Sequence, residues 1–66
     1  MRISVNGHSH ELDGGTTVAA LLARLDMAGK RVAVERNGEI VPKGRHAETA
    51  LAEGDVLEIV VAVGGG

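Results

Sequence analysis

The chain has 66 residues, contains no Cys, Phe, Trp or Tyr, and carries a formal net charge of -2 at pH 7. The missing cysteine excludes disulfides, Cys-based zinc sites and thiol nucleophiles, and the missing aromatics leave no platform on which a base or sugar could stack. The slightly acidic balance argues against a nucleic-acid binder, which normally shows a basic face. The first residues lack the long apolar region of a signal peptide, so we expect a cytoplasmic protein.

The first predicted element is a β-hairpin. Apolar and polar residues alternate from Met1 to Val5, which indicates a strand with one buried face. Asn6-Gly7 follows, and this pair is typical of a tight hairpin turn because both residues tolerate positive φ. We therefore expect a return strand over residues 8–12.

A single helix is predicted after the hairpin. Thr16 or Thr17 can cap its first turn through a side-chain hydroxyl, and the apolar residues that follow recur at helical spacing. Gly29 is placed to end the helix in a left-handed conformation. The expected buried stripe consists of Val18, Leu21, Leu22 and Leu25.

The second half of the chain is predicted to form strands with little helix. Residues 32–35 alternate, Asn37-Gly38 turns the chain, and a short strand over residues 39–41 ends at Pro42. At most a short helical turn is expected from His46 to Thr49. The last strand, Val56 to Val63, is nearly all apolar and is expected at the centre of the sheet beside the first strand. This order predicts an α+β fold of the β-grasp type, a mixed sheet with one helix packed on one face.

The last strand is expected to have one buried and one open face, because one helix covers only one side of a sheet. The core face is assigned to the larger apolar set, Leu57, Ile59, Val61 and Val63. Glu58, Val60 and Ala62 share the other face, where we expect a docking patch for a partner protein. The pattern equally allows isolated surface valines that have no partner.

Three glycines, Gly64–Gly66, follow the last predicted strand. Glycine fits where any Cβ would clash, and three extended residues reach about 10 Å. We expect a domain over residues 1–63 and a flexible tail over residues 64–66 that enters a narrow site on another protein. The α-carboxylate of Gly66 is then the distinctive chemical group, because adenylation opens its carbonyl to a sulfur or nitrogen nucleophile. A frayed terminus or a linker remnant is the alternative interpretation.

The other polar residues show no catalytic or metal-binding motif. His8 and His10 lie on the predicted return strand, with His46 far away in sequence, and a defined metal site needs several ligands. We therefore expect no metal site and no tightly bound cofactor. Glu53 and Asp55 flank a glycine and are interpreted as turn residues.

Several segments of the chain match one known family. They are Met1 to Gly7, Thr17-Val18 with Leu21-Leu22, Val32 to Glu35, Asn37 to Lys43, Glu53 to Val60 and Ala62 to Gly66. On these segments the chain resembles the ThiS group, small ubiquitin-related sulfur carrier proteins of thiamine biosynthesis. The resemblance covers the full length and is most specific in the central and terminal segments. In contrast to many members, the chain has no aromatic residue near His46 or before the tail.

The resemblance implies that the chain is a carrier rather than an enzyme. An ATP-dependent adenylyltransferase would adenylate Gly66, and a sulfur donor system fed by a cysteine desulfurase would convert it to a thiocarboxylate. Thiazole synthase would then accept the sulfur. Gly64 and Gly65 would occupy the partner's channel, and Val60 falls on the family's apolar partner-facing surface. We expect a monomer when free, without a nucleic-acid or membrane partner.

Three other functions stay open at this point. The small subunit of molybdopterin synthase shares the fold and the thiocarboxylate, but it often carries an aromatic-Pro-Pro segment before the tail. Ile59 to Val63 contains no proline, which favours the thiamine assignment. A ubiquitin-like modifier would be attached through Gly66 to lysines of target proteins. A plain interaction module would have an inert tail.

Overall fold

The computed structural model describes residues 1–62 as a mixed five-stranded sheet with one α-helix. The elements are β1 (Arg2–Val5), β2 (His8–Glu11), α1 (Val18–Arg24), β3 (Val32–Arg36), β4 (Glu39–Val41) and β5 (Val56–Val61). The sheet order is β2-β1-β5-β3-β4. Strand β5 runs parallel to β1 and antiparallel to β3. The β-grasp prediction is therefore confirmed, with the last strand at the centre beside the first. The predicted domain boundary at residue 63 and the predicted tail lie outside the described residues.

Both Asn-Gly hairpins form as predicted. The backbone φ angles are 50° and 83° at Asn6 and Gly7, and 52° and 88° at Asn37 and Gly38. Two successive positive φ angles are the signature of the type I′ turn, whose twist matches that of the flanking strands.

Asn6 also connects the first hairpin to β5. Its side-chain Nδ2 donates to the Ile59 carbonyl at 3.0 Å, and the Ile59 N–H donates to Asn6 Oδ1 at 2.8 Å. The amide therefore imitates a backbone peptide unit and extends the pairing of β1 with β5 beyond Val5, where the β1 backbone turns away.

The helix begins as predicted and buries the predicted stripe. Thr17 is the N-cap, and its Oγ1 accepts a hydrogen bond from the Ala20 N–H at 3.1 Å. The buried residues of α1 are Val18, Leu21 and Leu22, while Leu25, just after the helix, is partly buried. Each fully buried aliphatic side chain contributes about 1.5–3 kcal/mol relative to exposure, so this stripe holds a short helix on the sheet.

The prediction that Gly29 ends the helix is wrong. The Met27 N–H donates to the Leu22 carbonyl at 2.8 Å, and the Asp26 N–H donates to the Ala23 carbonyl at 3.1 Å. This pair of bonds is a Schellman motif, which normally places glycine at the left-handed position. Asp26 occupies that position with a φ of 61°. Gly29 has a positive φ of 84°, but it lies in the following turn.

The predicted helical turn between β4 and β5 forms, and a 3-10 turn over Lys43–Arg45 that was not predicted precedes it. The Thr49 N–H donates to the Arg45 carbonyl at 3.0 Å, which closes a turn over residues 46–48. The same segment caps α1, because the carbonyls of His46 and Thr49 accept hydrogen bonds from the N–H groups of Ala19 and Val18, both at 2.9 Å. The first N–H groups of a helix lack intrahelical partners, and this segment supplies them.

The core lies between α1 and one face of the sheet. Leu57 and Ile59 are buried and Val61 is half-buried, as the alternation predicted, while Val63 lies outside the described residues. The core consists of Ile3, Val5, Leu12, Val18, Leu21, Leu22, Val34, Val41, Leu51, Leu57 and Ile59.

No helix within residues 1–62 is long and apolar enough to cross a membrane.

Candidate functional site

Of the three predicted docking residues, Glu58 and Val60 lie on the face of β5 opposite the core, and Ala62 follows the last residue of the strand. Val60 is 62% exposed, and Glu58 and Ala62 are also exposed. The alternation of the last strand therefore placed them correctly. Their binding to a partner stays a prediction.

The register of β3 against β5 adds two residues to this face. Ala33 lies directly opposite Val60, and Glu35 lies directly opposite Glu58. All four residues are exposed. Ala33 and Glu35 were not predicted to belong to this face, because the alternation along β5 alone does not include them. Both residues could have been found by extending the same alternation to β3, since directly opposite residues share a face.

Two large apolar side chains complete the surface. Ile40 of β4 lies opposite Glu35 and is 63% exposed. Val56 lies two residues before Glu58 on the same face of β5 and is 54% exposed. We call this surface the open-face patch, formed by Ala33, Glu35, Ile40, Val56, Glu58, Val60 and Ala62.

The open-face patch leads directly into the C-terminal segment. The Ala62 N–H donates to the Arg31 carbonyl at 2.8 Å, which holds the last described residue beside the start of β3. Chain geometry limits the distance from Ala62 to Gly66 to about 14 Å. A partner that contacts the patch can therefore also reach Gly66.

A buried carboxylate fixes the loop that enters β5. Asp55 accepts hydrogen bonds from Arg36 Nε at 2.7 Å, Asn37 Nδ2 at 3.0 Å and the Ala52 N–H at 2.8 Å. Burial raises the pKa of Asp55, but the hydrogen bonds from Asn37, Ala52 and Arg36 together outweigh it and hold the pKa below its usual value. Asn37 Oδ1 in turn accepts from the Val56 N–H at 2.9 Å. This network locks the β3–β4 turn against the start of β5, a role that the interpretation of Asp55 as a turn residue missed.

The histidines occupy different environments. His8 is exposed and His10 half-buried on β2. His46 is buried, and its Nε2 lies 3.1 Å from the Val41 carbonyl, to which it donates when it carries the hydrogen. Within the described part of the chain, no group of three His, Cys, Asp or Glu side chains could hold a metal ion. The contact of His46 with the Val41 carbonyl joins the end of the 3-10 turn to the end of β4.

A cavity of about 500 Å³ lies at the β4 edge of the sheet. None of the predicted docking residues lines it. Its lining consists of Arg36, Asn37, Glu39, Ile40, Val41, Pro42, Arg45 and Thr49. Only Ile40 is shared with the open-face patch, so the patch and the cavity are separate features.

Comparison with known proteins decides the family. The model of the ThiS family matches residues 3–66, which include the three glycines. The chain belongs to the ThiS family. A crystal structure of the thiamine biosynthesis protein ThiS from Geobacter metallireducens has the same fold, with a TM-score of 0.80 and 35% identity over 100% of both chains.

One further relative is a sulfur carrier protein, and another is a much longer thiazole synthase. The sulfur carrier protein ThiS of Bacillus subtilis is 50% identical over 50 residues, which is 76% of each chain. Thiazole synthase of Paramagnetospirillum magneticum is 47% identical over 66 residues, which is 100% of this chain but 20% of that protein. The chain therefore spans about a fifth of the length of the thiazole synthase that it matches.

Proposed function

We propose that this ThiS-family chain carries sulfur for thiamine biosynthesis as a thiocarboxylate on Gly66. The observation that carries the proposal is the family match over residues 3–66, because it covers both the domain and the terminal glycines. The identity of 50% with the Bacillus subtilis sulfur carrier supports the same assignment. Molybdopterin synthesis and protein modification remain as outcomes of the test below.

Sulfur loading is a substitution at the acyl carbon of Gly66. A carboxylate oxygen attacks the α-phosphorus of ATP, and pyrophosphate leaves to give an acyl-adenylate. When the nucleophile is sulfide, it attacks the acyl carbon, AMP departs with the original oxygen, and one oxygen is exchanged for one sulfur without redox change. When the nucleophile is the terminal sulfur of a donor persulfide, the product is an acyl disulfide. A thiol then cleaves its S–S bond, which releases the thiocarboxylate and leaves the two thiol sulfurs joined as a disulfide. The chain supplies the acyl group, whereas an adenylyltransferase and a sulfur donor fed by a cysteine desulfurase supply the catalysis.

Thiazole synthase is the proposed acceptor of the sulfur. The support is that two thiazole synthases contain a segment similar to this entire chain, at 47% and 42% identity. A carrier domain joined to an acceptor enzyme indicates that the two act in one pathway. The proposed compartment is the cytoplasm, where the activating partner finds ATP.

The open-face patch is the proposed docking surface for these enzymes. Ordering the glycine tail in a partner channel costs about 1–2 kcal/mol per residue. Contacts elsewhere must offset that cost, and Val60 and Ala62 lie on the exposed face from which the tail continues. Burial of one aliphatic side chain contributes about 1.5–3 kcal/mol, so a few patch residues are enough.

Deletion of Gly66 tests the proposal in a reconstituted thiazole-forming reaction. The truncated chain should unfold at the same temperature as the full chain but support no thiazole formation, because its new terminal carboxylate, on Gly65, ends up to about 3.6 Å short of the reacting position. Thiazole formation at the full-chain rate would contradict the proposal. Sulfur transfer to a molybdopterin synthase large subunit but not to thiazole synthase would move the assignment to the molybdenum cofactor. Isopeptide conjugates through Gly66 in cells would move it to a protein modifier.

A further inference from the structure

Two carboxylates lie at the centre of the open-face patch, surrounded by apolar residues. Glu58 lies between Val56 and Val60 along β5, two residues from each, and all three side chains are exposed on one face. Glu35 lies directly opposite Glu58, and Ile40 lies opposite Glu35 on its other side. We call Glu35 and Glu58 the carboxylate pair.

A partner that covers the apolar residues must also cover the carboxylate pair. Contact with both Val56 and Val60 buries Glu58, because Glu58 stands between them on the same strand face. Burial of a carboxylate is costly unless an opposite charge and hydrogen-bond donors compensate it. The docking surface therefore requires a cation at the position of the pair.

The described part of the chain does not supply that cation. The ion pairs within residues 1–62 join Glu11 to Arg2 and to the N-terminal ammonium, and Arg36 to Asp55. None involves Glu35 or Glu58. Like charges directly opposite on adjacent antiparallel strands destabilise a sheet, since their Cβ atoms lie only about 4.5–5.5 Å apart. A cation from outside would thus relieve repulsion that exists in the free domain.

We infer that the open-face patch binds a partner protein that inserts an arginine side chain between Glu35 and Glu58. A guanidinium has donors along two edges and can bind both carboxylates at once, whereas an ammonium is a point charge. Arginine is also enriched in the centres of protein interfaces, where lysine is depleted. The inference rests on the proposed function, because it takes the partner to be an enzyme that acts on Gly66.

The chain also limits where that arginine lies in the partner. Gly66 follows Glu58 by eight residues, which span at most about 29 Å when fully extended. The arginine that binds the carboxylate pair must therefore lie within about 29 Å of the partner's acyl-transfer centre.

The test compares Glu35→Gln, Glu58→Gln and the double substitution with Glu48→Gln. Glu48 is exposed in the turn after the 3-10 segment, outside the patch, and serves as the charge-matched control. The probe is the adenylyltransferase of the same organism, with affinity measured by calorimetry at low and high NaCl. Each patch substitution should weaken binding about tenfold and raise the midpoint of thermal unfolding by about 1–5 °C. The Glu48→Gln control should change neither the affinity nor the unfolding midpoint. When the NaCl concentration is raised, the double variant should lose less affinity than the parent chain.

The opposite signs of the two effects distinguish docking from a structural role. Unchanged affinity in the double variant would overturn the inference. Loss of affinity together with a lower unfolding midpoint would also overturn it, because the pair would then support the fold. A dimer of the free chain that Val60→Glu dissociates would show that a second copy occupies the patch, which contradicts the inference too.

Chemical modification tests the arginine itself. Phenylglyoxal modifies exposed arginines of the adenylyltransferase, and bound chain should protect one of them, as identified by peptide mass spectrometry. The double variant at the same concentration should give less protection. If the bound chain protects no arginine, the inference is contradicted.

Sulfur loading separates this inference from the proposed function. At saturating carrier concentration, the patch variants should reach the same extent of thiocarboxylate formation as the parent chain, because Gly66 is unchanged. If the parent chain binds the enzyme but gains no sulfur, the proposed function fails while the affinity data still test the docking inference.

Discussion

Two polar side chains hold the strand that leads to the terminal glycines. The Asn6 amide exchanges two hydrogen bonds with the Ile59 backbone, at 3.0 and 2.8 Å. Asp55 accepts three hydrogen bonds where the chain enters β5, one of them from Arg36. A buried polar group that loses its partner costs about 1–3 kcal/mol. Both side chains therefore contribute to the fixed position of β5.

Substitution of Asp55 by Asn should destabilise the domain by about 1–3 kcal/mol near neutral pH. An amide offers one acceptor oxygen, so it cannot keep the bonds of both carboxylate oxygens to Asn37 and Arg36. The measurement is urea unfolding at pH 7. A loss below the error of the fit would contradict the role of this network.

The stability difference between the parent chain and Asp55→Asn should depend on pH. The pKa of Asp55 is lower in the folded chain than its ordinary value of 3.8. Its stabilising contribution is therefore complete above the unfolded pKa and is lost as the pH falls through the folded pKa. The stability difference between the parent chain and Asp55→Asn should shrink as the pH falls below about 4. A difference that grows with acidity would contradict the assigned direction.

Asn6→Gly and Asn6→Ala separate the two roles of Asn6. Glycine keeps the positive φ of 50° but loses both bonds to Ile59, so we expect a loss of about 1–3 kcal/mol. Alanine should cost about 1 kcal/mol more, because its Cβ disfavours the left-handed conformation. Equal stability of the two variants in urea unfolding would show that the backbone strain is absent.

The helix α1 is short and is fixed at both ends by specific contacts. Thr17 caps its start, and carbonyls of the segment after the 3-10 turn accept from Val18 and Ala19. Its end is a Schellman motif with Asp26 at the left-handed position. An acidic residue there is doubly unfavourable, since positive φ suits glycine and negative charge suits the other end of a helix.

Asp26→Gly should therefore stabilise the domain by about 0.5–1 kcal/mol. The matched control is Ala28→Gly, because Ala28 is exposed and is not among the positive-φ residues. That change should destabilise by a similar amount through the greater freedom of the unfolded chain. Unfolding in urea measures both, and a destabilising Asp26→Gly would contradict the strain argument.

The elements were predictable where their signals are local. Both Asn-Gly turns, the Thr17 cap and the two faces of β5 depend on neighbouring residues and were found from sequence. The helix end was missed because Gly29 is the stronger local signal, whereas Leu22 and Met27 close the Schellman motif earlier. The open-face residues of β3 and β4 could be identified only once the strand register was known. The contacts of Asn6 and Asp55 join residues far apart in sequence, so no local pattern predicts them.

In the whole molecule, the two sides of the sheet differ in what covers them. The side that faces α1 carries the core, and the other side carries the open-face patch. The parallel pairing of β5 with β1 places the last strand at the centre, so that the chain passes from the middle of the patch to its end. One partner can therefore contact both the open-face patch and the terminal glycines.

Val60→Glu should weaken binding to the adenylyltransferase by about tenfold or more, because the contact would bury a third carboxylate beside Glu35 and Glu58. Its effect on folding stability should be small, since Val60 is 62% exposed. Ala47→Glu adds the same charge at an exposed site outside the patch and should leave affinity unchanged. Equal affinity of Val60→Glu and Ala47→Glu would contradict the docking surface.

Intact-protein mass spectrometry shows whether the chain carries sulfur on Gly66. The chain is incubated with ATP, the adenylyltransferase and sulfide, with a known carrier as a control for enzyme activity. We expect a mass gain equal to the exchange of one oxygen for one sulfur, and no gain when Gly66 is deleted. An unchanged mass, with the known carrier fully loaded, would contradict the assignment of this chain as a sulfur carrier.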